Sequence, residues 1–376
     1  MEAMKDGLGH NAVRRIASAL SALADSKRVD GFEFQPKTFI EHAVAPLEAL
    51  ELKQRVLHVI DTLHQFLPAD FRQSARLLEA LPEVWDRGQD NDPLRGFAAW
   101  PLIDYIGEHG LDHPEIALET LRRLTALFSA EFAIRPFILR HPSLCQTTFQ
   151  QWAKDDCEHV RRLVSEGTRP RLPWGIQLKP YIKDPSDNIT WLDTLKNDES
   201  LYVRRSVANH LNDISKDHPA TVIDLCQSWL SSASDEVKWV IKHATRTLVK
   251  AGHPEVFKLL GFTPEPRLKD AKLSARHPEI KLGEALEFDF DIVSDSDEEQ
   301  SLVIDYAIHF LKANGKQNAK VFKWKKLKLA PHCQLTLSKA HKIKAITTRR
   351  YYSGIQRLEI LINGRPVADT EFDLQT

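Results

Sequence analysis

The sequence predicts a mainly α chain: a solenoid of helix pairs of the HEAT type, followed by a small β-sandwich. Three observations predict it. Apolar residues recur at three- and four-residue spacing from Asn11 to about Leu260, the period of helices that bury one face. A weak motif recurs around Val160, Val203 and Val237, 43 and 34 residues apart, the range of stacked helix-pair units. After Phe262-Thr263-Pro264-Glu265-Pro266 the period drops to two, as in strands with one buried face. The expected domains are therefore 1–263 and 264–376.

In the helical part, breaks fall at short polar or proline-containing turns: 67–70, 108–114, 216–219 and 251–254. Proline ends one helix and can begin the next, so such turns join antiparallel neighbours. The repeated motif begins with acids (Asp156, Asp198, Asp235), where a helix N-terminus favours negative charge. A basic pair follows in the next turn of the first two copies, Arg161-Arg162 and Arg204-Arg205. On stacked helices such pairs would line one concave face.

In the second part, strands are expected over Leu286–Val293, Leu302–Phe310, Val321–Leu329, Gln334–Leu337, Gln356–Ile362 and Val367–Leu374. Asn363-Gly364 marks a tight hairpin between the last two. Charge is segregated here. Nine acids and no Lys or Arg lie between Leu282 and Leu311, then twelve Lys or Arg and no acid up to Arg350. Local charge therefore says more about partners than the net charge of −1.

Composition narrows the function classes. The first 24 residues carry Glu2, Lys5, Asp6, Arg14 and Arg15 without an apolar core, unlike a signal peptide. No run approaches the roughly 18 apolar residues of a membrane span. The four cysteines form no CxxC and the sixteen histidines no HExxH, so neither disulfides nor a metal site is expected, which suits the cytoplasm. There is no GxxxxGK[ST] phosphate loop and no GxSxG elbow, which leaves nucleotide hydrolysis and esterase chemistry without support. No cofactor is expected.

The segment Lys154–Gly175 stands out. Glu158, Arg162 and Glu166 share a helical face, and a solvated ion-pair ladder would explain them. Gly167, as a residue just past the helix end, would leave Glu166 in the last turn, where the helix dipole disfavours a carboxylate. Beyond it Arg169, Arg171 and Trp174 alternate with Pro170 and Pro173. This is either a rigid loop presenting cations and an aromatic, or a crossover with Trp174 plugging the core. Asp213 lies near another helix end and could be a capping acid; Glu131 could be a first-turn acid behind a Ser129 cap. Lys320–Lys328, with Lys323 and Lys325, alternates cations with apolar residues. Edge-strand protection and phosphate contact both fit.

The sequence resembles the AlkC family of alkylated-DNA glycosylases, relatives of the AlkD enzymes built from HEAT-like repeats. The resemblance rests on Ala130–Phe137 (AEFAIRPF), Val160–Trp174 (VRRLVSEGTRPRLPW) and Val203–Asp213 (VRRSVANHLND). It extends through Ile304-Asp305-Tyr306, Lys312–Gly315 and Lys320–Lys323 to an appended Ig-like domain. The resemblance implies a monofunctional enzyme that removes N3-methyladenine and 3-methylcytosine from double-stranded DNA as a monomer. It implies Glu131, Glu166 and Asp213 as the active-site acids and Trp174 as the cleft aromatic. On that footing Arg162, Arg169, Arg171 and Arg205 are expected to hold phosphates, joined by Lys323 and Lys325. The AlkD-type relatives act on a base still largely in the duplex, unlike enzymes that extrude it, and the resemblance carries that expectation over. From the residues alone, a non-catalytic HEAT-repeat adaptor or a lesion-binding protein remains open.

Overall fold

The computed structural model describes residues 4–346 and 349–376. Its helices run from His10–Asp25 to Pro254–Leu259 and its strands from Leu268–Ala275 to Arg365–Gln375. The fold is the predicted one, a HEAT-like helical array followed by an Ig-like sandwich. Packing divides the chain between Asp217 and His218 into two compact units. That division lies upstream of the change from helix to strand, because the last helices group with the sandwich.

In the first unit proline opens many of the short helices: Pro36–Val44, Pro114–Leu124 and Pro142–Trp152 each begin on one. The missing N–H falls where a helix has no internal acceptor. The first two motif copies form the helices Glu158–Gly167 and Leu201–Ile214, which pack on each other. Val160, Leu163 and Val164 of the first and Val203, Val207 and Leu211 of the second are buried.

The basic pair of each copy is not used uniformly. Arg161 folds back onto the carbonyls of Asp155 and Asp156, and Arg204 onto those of Asp198 and Glu199. The first arginine of each pair thus ties its helix to the preceding turn. Arg161 also makes a bidentate pair with Asp198, at 2.6 and 3.0 Å. Only Arg162 and Arg205 are left for other work.

The second unit holds the helices Pro219–Leu230, Asp235–Ala244, Arg246–Lys250 and Pro254–Leu259. Its strands are β1 (Leu268–Ala275), β2 (Glu279–Lys281), β3 (Ala285–Ser294), β4 (Gln300–Leu311), β5 (Gln317–Leu329), β6 (Gln334–Lys342), β7 (Gly354–Ile362) and β8 (Arg365–Gln375). They form two sheets, ordered β1-β3-β6 and β2-β8-β7-β4-β5. Inward residues such as Phe288, Phe290, Ile304, Ile308, Ile360 and Phe372 fill the space between. The Asn363-Gly364 turn closes β7 on β8 with φ of 48° and 75°, the left-handed pair a type I′ turn needs. β1 and β2 escaped the sequence pattern: β1 buries only Leu273 and β2 has three residues, so neither alternates clearly.

β5 is the edge strand of the larger sheet. Its partner β4 places Asp305 opposite Lys323 and Ile304 opposite Lys325, with the bulge between them. The acids of β3 lie in the other sheet, where Asp289 pairs with Arg276 and accepts from Ser338. Lys323 and Lys325 are exposed, with Asp305 beside Lys323 on the neighbouring strand.

Candidate active site

The site forms where the turn 129–134, the helix Glu158–Gly167, the loop after it and the helix Leu201–Ile214 meet within the first unit. Glu131 lies in the turn ahead of the helix Arg135–Arg140, not in a first helical turn. Ser129 donates to the Glu131 carboxylate itself, Oγ to Oε2 at 2.8 Å, instead of capping a helix. Arg162 Nη1 donates to the same Oε2 at 2.8 Å. Glu131 Oε1 accepts no hydrogen bond among the described residues.

Glu166 and Asp213 are more tightly held. Arg169 bridges them, donating from Nη1 to Glu166 Oε1 at 2.6 Å and from Nε to Asp213 Oδ2 at 2.8 Å. Ser206 Oγ donates to Glu166 Oε2 at 2.6 Å, and Lys216 Nζ reaches Asp213 Oδ1 at 2.9 Å. Arg162 Nη2 completes the chain at 3.7 Å from Glu166. The sequence of charges is therefore Glu131, Arg162, Glu166, Arg169, Asp213, Lys216, alternating in sign throughout. Burial, the largest influence, pushes the Glu166 carboxyl up, yet Arg162, Arg169 and Ser206 together hold it below its ordinary value. Removing Arg162 would leave Glu131 without an ion pair among the described residues, an uncompensated and largely buried charge.

These contacts alter three expectations. The ladder Glu158-Arg162-Glu166 does not form as a unit: Glu158 accepts from Ser200, and Arg162 reaches across to Glu131. Arg162 and Arg169, expected to hold phosphates, are engaged with carboxylates at 15% and 10% side-chain exposure. Their guanidiniums balance the charge of acids inside the protein. Gly167 is the last helical residue, not a left-handed residue beyond it. A Cβ there would lie 2.6 Å from Ile134 Cγ2, so glycine admits the 130–134 turn.

The loop after Gly167 is anchored from behind by Arg135, whose side chain is wholly buried. It donates to the carbonyls of Ile176, Gly167 and Arg169 at 2.7, 2.8 and 2.9 Å. Burial lowers its pKa to about 10, with Arg169 acting in the same direction. His210 ties the two motif helices together, with Nδ1 on the Ser165 carbonyl and Nε2 facing Asn188 Nδ2, each at 2.8 Å. Leu172 fills the core beneath the loop and Trp174 stays 53% exposed, so the aromatic is not a plug. Trp174 sits at φ 65°, a left-handed conformation unusual for a bulky residue, and Lys53 Nζ donates to its carbonyl.

Between these walls is a cleft of about 280 Å³. Glu131, Glu166, Arg169 and Trp174 line it, together with Phe97, Trp100, Phe128 and Phe132. Asp213 stands behind Arg169. Arg171 turns away to pair with Asp217 at 2.8 Å, and Arg205 is exposed without an ion pair among the described residues. Lys323 and Lys325 belong to the second unit. Sequence reasoning missed Arg135, Ser206, His210 and the aromatic floor. Arg135 had a signal, being the one charge in Phe132-Ala133-Ile134-Arg135-Pro136-Phe137-Ile138-Leu139; Ser206 and His210 had none. Among the described residues no group of three His, Cys, Asp or Glu side chains could hold a metal ion, and no helix is long and apolar enough to cross a membrane.

Comparisons with known proteins bear on this geometry. Residues 269–376 match the family model described as the C-terminal Ig-like domain of the uncharacterised protein YhaZ. The chain is 36% identical over 326 residues to the uncharacterized protein YhaZ of Bacillus subtilis strain 168, spanning 86% of this chain and 88% of that one. Among solved structures it is similar to the alkylpurine DNA glycosylase AlkC of Pseudomonas fluorescens bound to DNA containing an abasic site analog. That match has a TM-score of 0.84 and 36% identity, and covers 100% of both chains.

Proposed function

Because this chain belongs to the family that includes YhaZ and AlkC, we propose that it is a DNA glycosylase releasing alkylated bases from duplex DNA. Its proposed substrates are N3-methyladenine and 3-methylcytosine. The observation that carries the reading is the placement of two carboxylates, Glu131 and Glu166, on an aromatic cleft, with Asp213 linked behind them through Arg169.

An N3-methylated base carries formal positive charge and departs without a strong general acid. Positive charge then develops on the deoxyribose, and carboxylates fixed in a partly dehydrated cleft stabilise that oxocarbenium-like state. The contacts divide the work. Glu166 and Asp213 have both oxygens engaged and supply a fixed negative field. Glu131 keeps Oε1 free to orient water at the anomeric carbon. Arg162 and Arg169 hold Glu166 ionised and pair with Glu131 and Asp213. Trp174 lies against the lesion nucleotide, while Arg171, Arg205, Lys323 and Lys325 contact phosphates. The cation lining the cleft is an arginine, a poor nucleophile, which favours a monofunctional enzyme that leaves an abasic site uncut. On this reading residues 1–263 carry the chemistry and 264–376 help grip the DNA, with a monomer acting on the duplex.

Glu131→Gln, Glu166→Gln and Asp213→Asn test it, with methyladenine release and affinity for abasic-site duplex measured separately. Release should fall at least a hundredfold in Glu131→Gln while affinity stays within a few-fold. Full activity in all three variants, or no base released by the wild-type protein, would overturn the reading and leave a lesion-binding protein or an adaptor.

A further inference from the structure

One half-buried acid near the cleft has no part in the charge chain. Asp104 lies one turn after Trp100 in the helix Trp100–His109, and its Oδ2 accepts from the indole Nε1 at 2.6 Å. Its Oδ1 is shut off from solvent and has no hydrogen-bond partner among the described residues. Leaving a carboxylate oxygen in that state is costly, and an apolar or amide side chain would pack there more cheaply. The cost implies a use.

The packing around Trp100 shows what that use is. Its ring stacks on Phe128, with centroids 5.4 Å apart, and on Phe132 at 5.2 Å, tilted by 20° and 25°. Phe128 precedes the turn that carries Glu131, and Phe132 lies within it. That turn is irregular, with Ile134 N–H to the Ala130 carbonyl and Ala130 N–H to Thr125 Oγ1 as its local bonds. The position of Glu131 therefore depends on what the turn rests on. Gly107, on the same helix as Trp100, lets it settle closely: a Cβ there would be 2.8 Å from the Ala133 Cα and carbonyl oxygen.

We propose that Asp104 is a positioning residue for base excision, holding Trp100 as the floor on which the Glu131 turn is set. The proposal rests on the glycosylase reading for its consequence, but its geometry does not. Asp104 does not line the cleft and Trp100 borders it only as a ring 2% exposed, so Asp104 acts through Trp100 and the turn instead of on the substrate. Burial pushes Asp104 up to about 7, against the pull of the Trp100 hydrogen bond and of Lys53, with Glu131 and Glu108 adding to the rise. The indole therefore senses an acceptor that changes charge near neutral pH, which gives the contact its own signature.

The test follows the eight tryptophan indoles by ¹⁵N spectra of the full chain between pH 5.5 and 8.5, alongside single-turnover excision from methylated duplex. One indole signal should titrate near pH 7 in the wild-type protein and stop titrating in both Asp104→Asn and Asp104→Ala. Excision should fall about tenfold in Asp104→Ala, with affinity for abasic-site duplex within twofold, and recover in part in Asp104→Asn, whose amide oxygen still accepts from the indole. Excision unchanged in Asp104→Ala, or no titrating indole, would overturn the proposal. A wild-type protein that releases no base would instead overturn the glycosylase reading, and is distinguished by that control.

Discussion

Arg135 donates its Nη2–H to the main-chain carbonyl of Arg169 across 2.9 Å, from a side chain with no exposed surface. One arginine thereby fixes the backbone from which the other reaches two acids. The same guanidinium holds Gly167 and Ile176, so the segment between them is pinned at three points. The site is rigid because a buried cation takes the place of secondary structure under an irregular loop.

Arg135→Lys should therefore damage the loop even though charge is kept. A lysine ammonium cannot match three donors of a planar fork. Unfolding by urea should show a loss of about 2–4 kcal/mol, and proteolysis should begin within 168–176. Unaltered stability and cleavage would show that the loop is held by other means.

Trp174 separates strain from function. Trp174→Gly should be more stable than Trp174→Ala by roughly 1 kcal/mol, since only glycine adopts φ 65° without cost. Both variants should lose excision to a similar degree, because both lose the aromatic face. Thermal unfolding and base release, compared in the same preparations, check the two statements independently.

His210 and Asp104 should give opposite pH dependences of stability. Burial, aided by Arg169, holds His210 down to about 3. The unfolded chain then binds a proton that the native one refuses, and stability falls as pH drops below about 6.5. Asp104, pushed up to about 7, takes a proton in the native state that the unfolded chain refuses above about 4. Its effect is a gain in stability as pH drops from 7 toward 4. Unfolding free energies between pH 5 and 7 should thus tilt toward higher stability at low pH in His210→Gln and toward lower stability in Asp104→Asn. The limiting slope of each contribution is about 1.4 kcal/mol per pH unit. Parallel curves in the two variants would contradict the assignment.

Lys323→Ser with Lys325→Ser tests the sandwich. If both contact phosphates, the salt dependence of duplex binding should flatten by about one unit of slope for each lysine. Excision of a bound lesion under single-turnover conditions should hardly change. An unaltered slope would mean that these exposed lysines only protect an edge strand.

The architecture was legible because it depends on periodicity. Helix and strand patterns around residue 264, the prolines opening helices and the Asn363-Gly364 hairpin each follow from local backbone preference. The candidate acids were legible only through the resemblance, since Glu131, Glu166 and Asp213 are 35 and 47 residues apart and no spacing rule connects them. Spacing misled where it was local: Glu158, Arg162 and Glu166 share a helical face, yet Glu158 turns to Ser200, while Arg162 keeps Glu166 at 3.7 Å and donates across the fold to Glu131. An i,i+4 pair in solvent is worth a few tenths of a kcal/mol. A buried partner on another element outcompetes it.

By itself, then, the sequence determined the order of helices and strands, the turns between them and the presence of an arginine- and proline-rich loop ending in Trp174. Tertiary structure decided which arginines face acids and which face solvent. It left Glu131 a free oxygen while occupying both oxygens of Glu166 and Asp213, and it set Trp100 and Asp104 beneath the turn. The physical reason is that periodicity reports a residue's own backbone and its burial. The partner of a buried charge is chosen by whichever opposite charge the packing of other elements brings within about 3 Å, and that distance is written nowhere in local sequence.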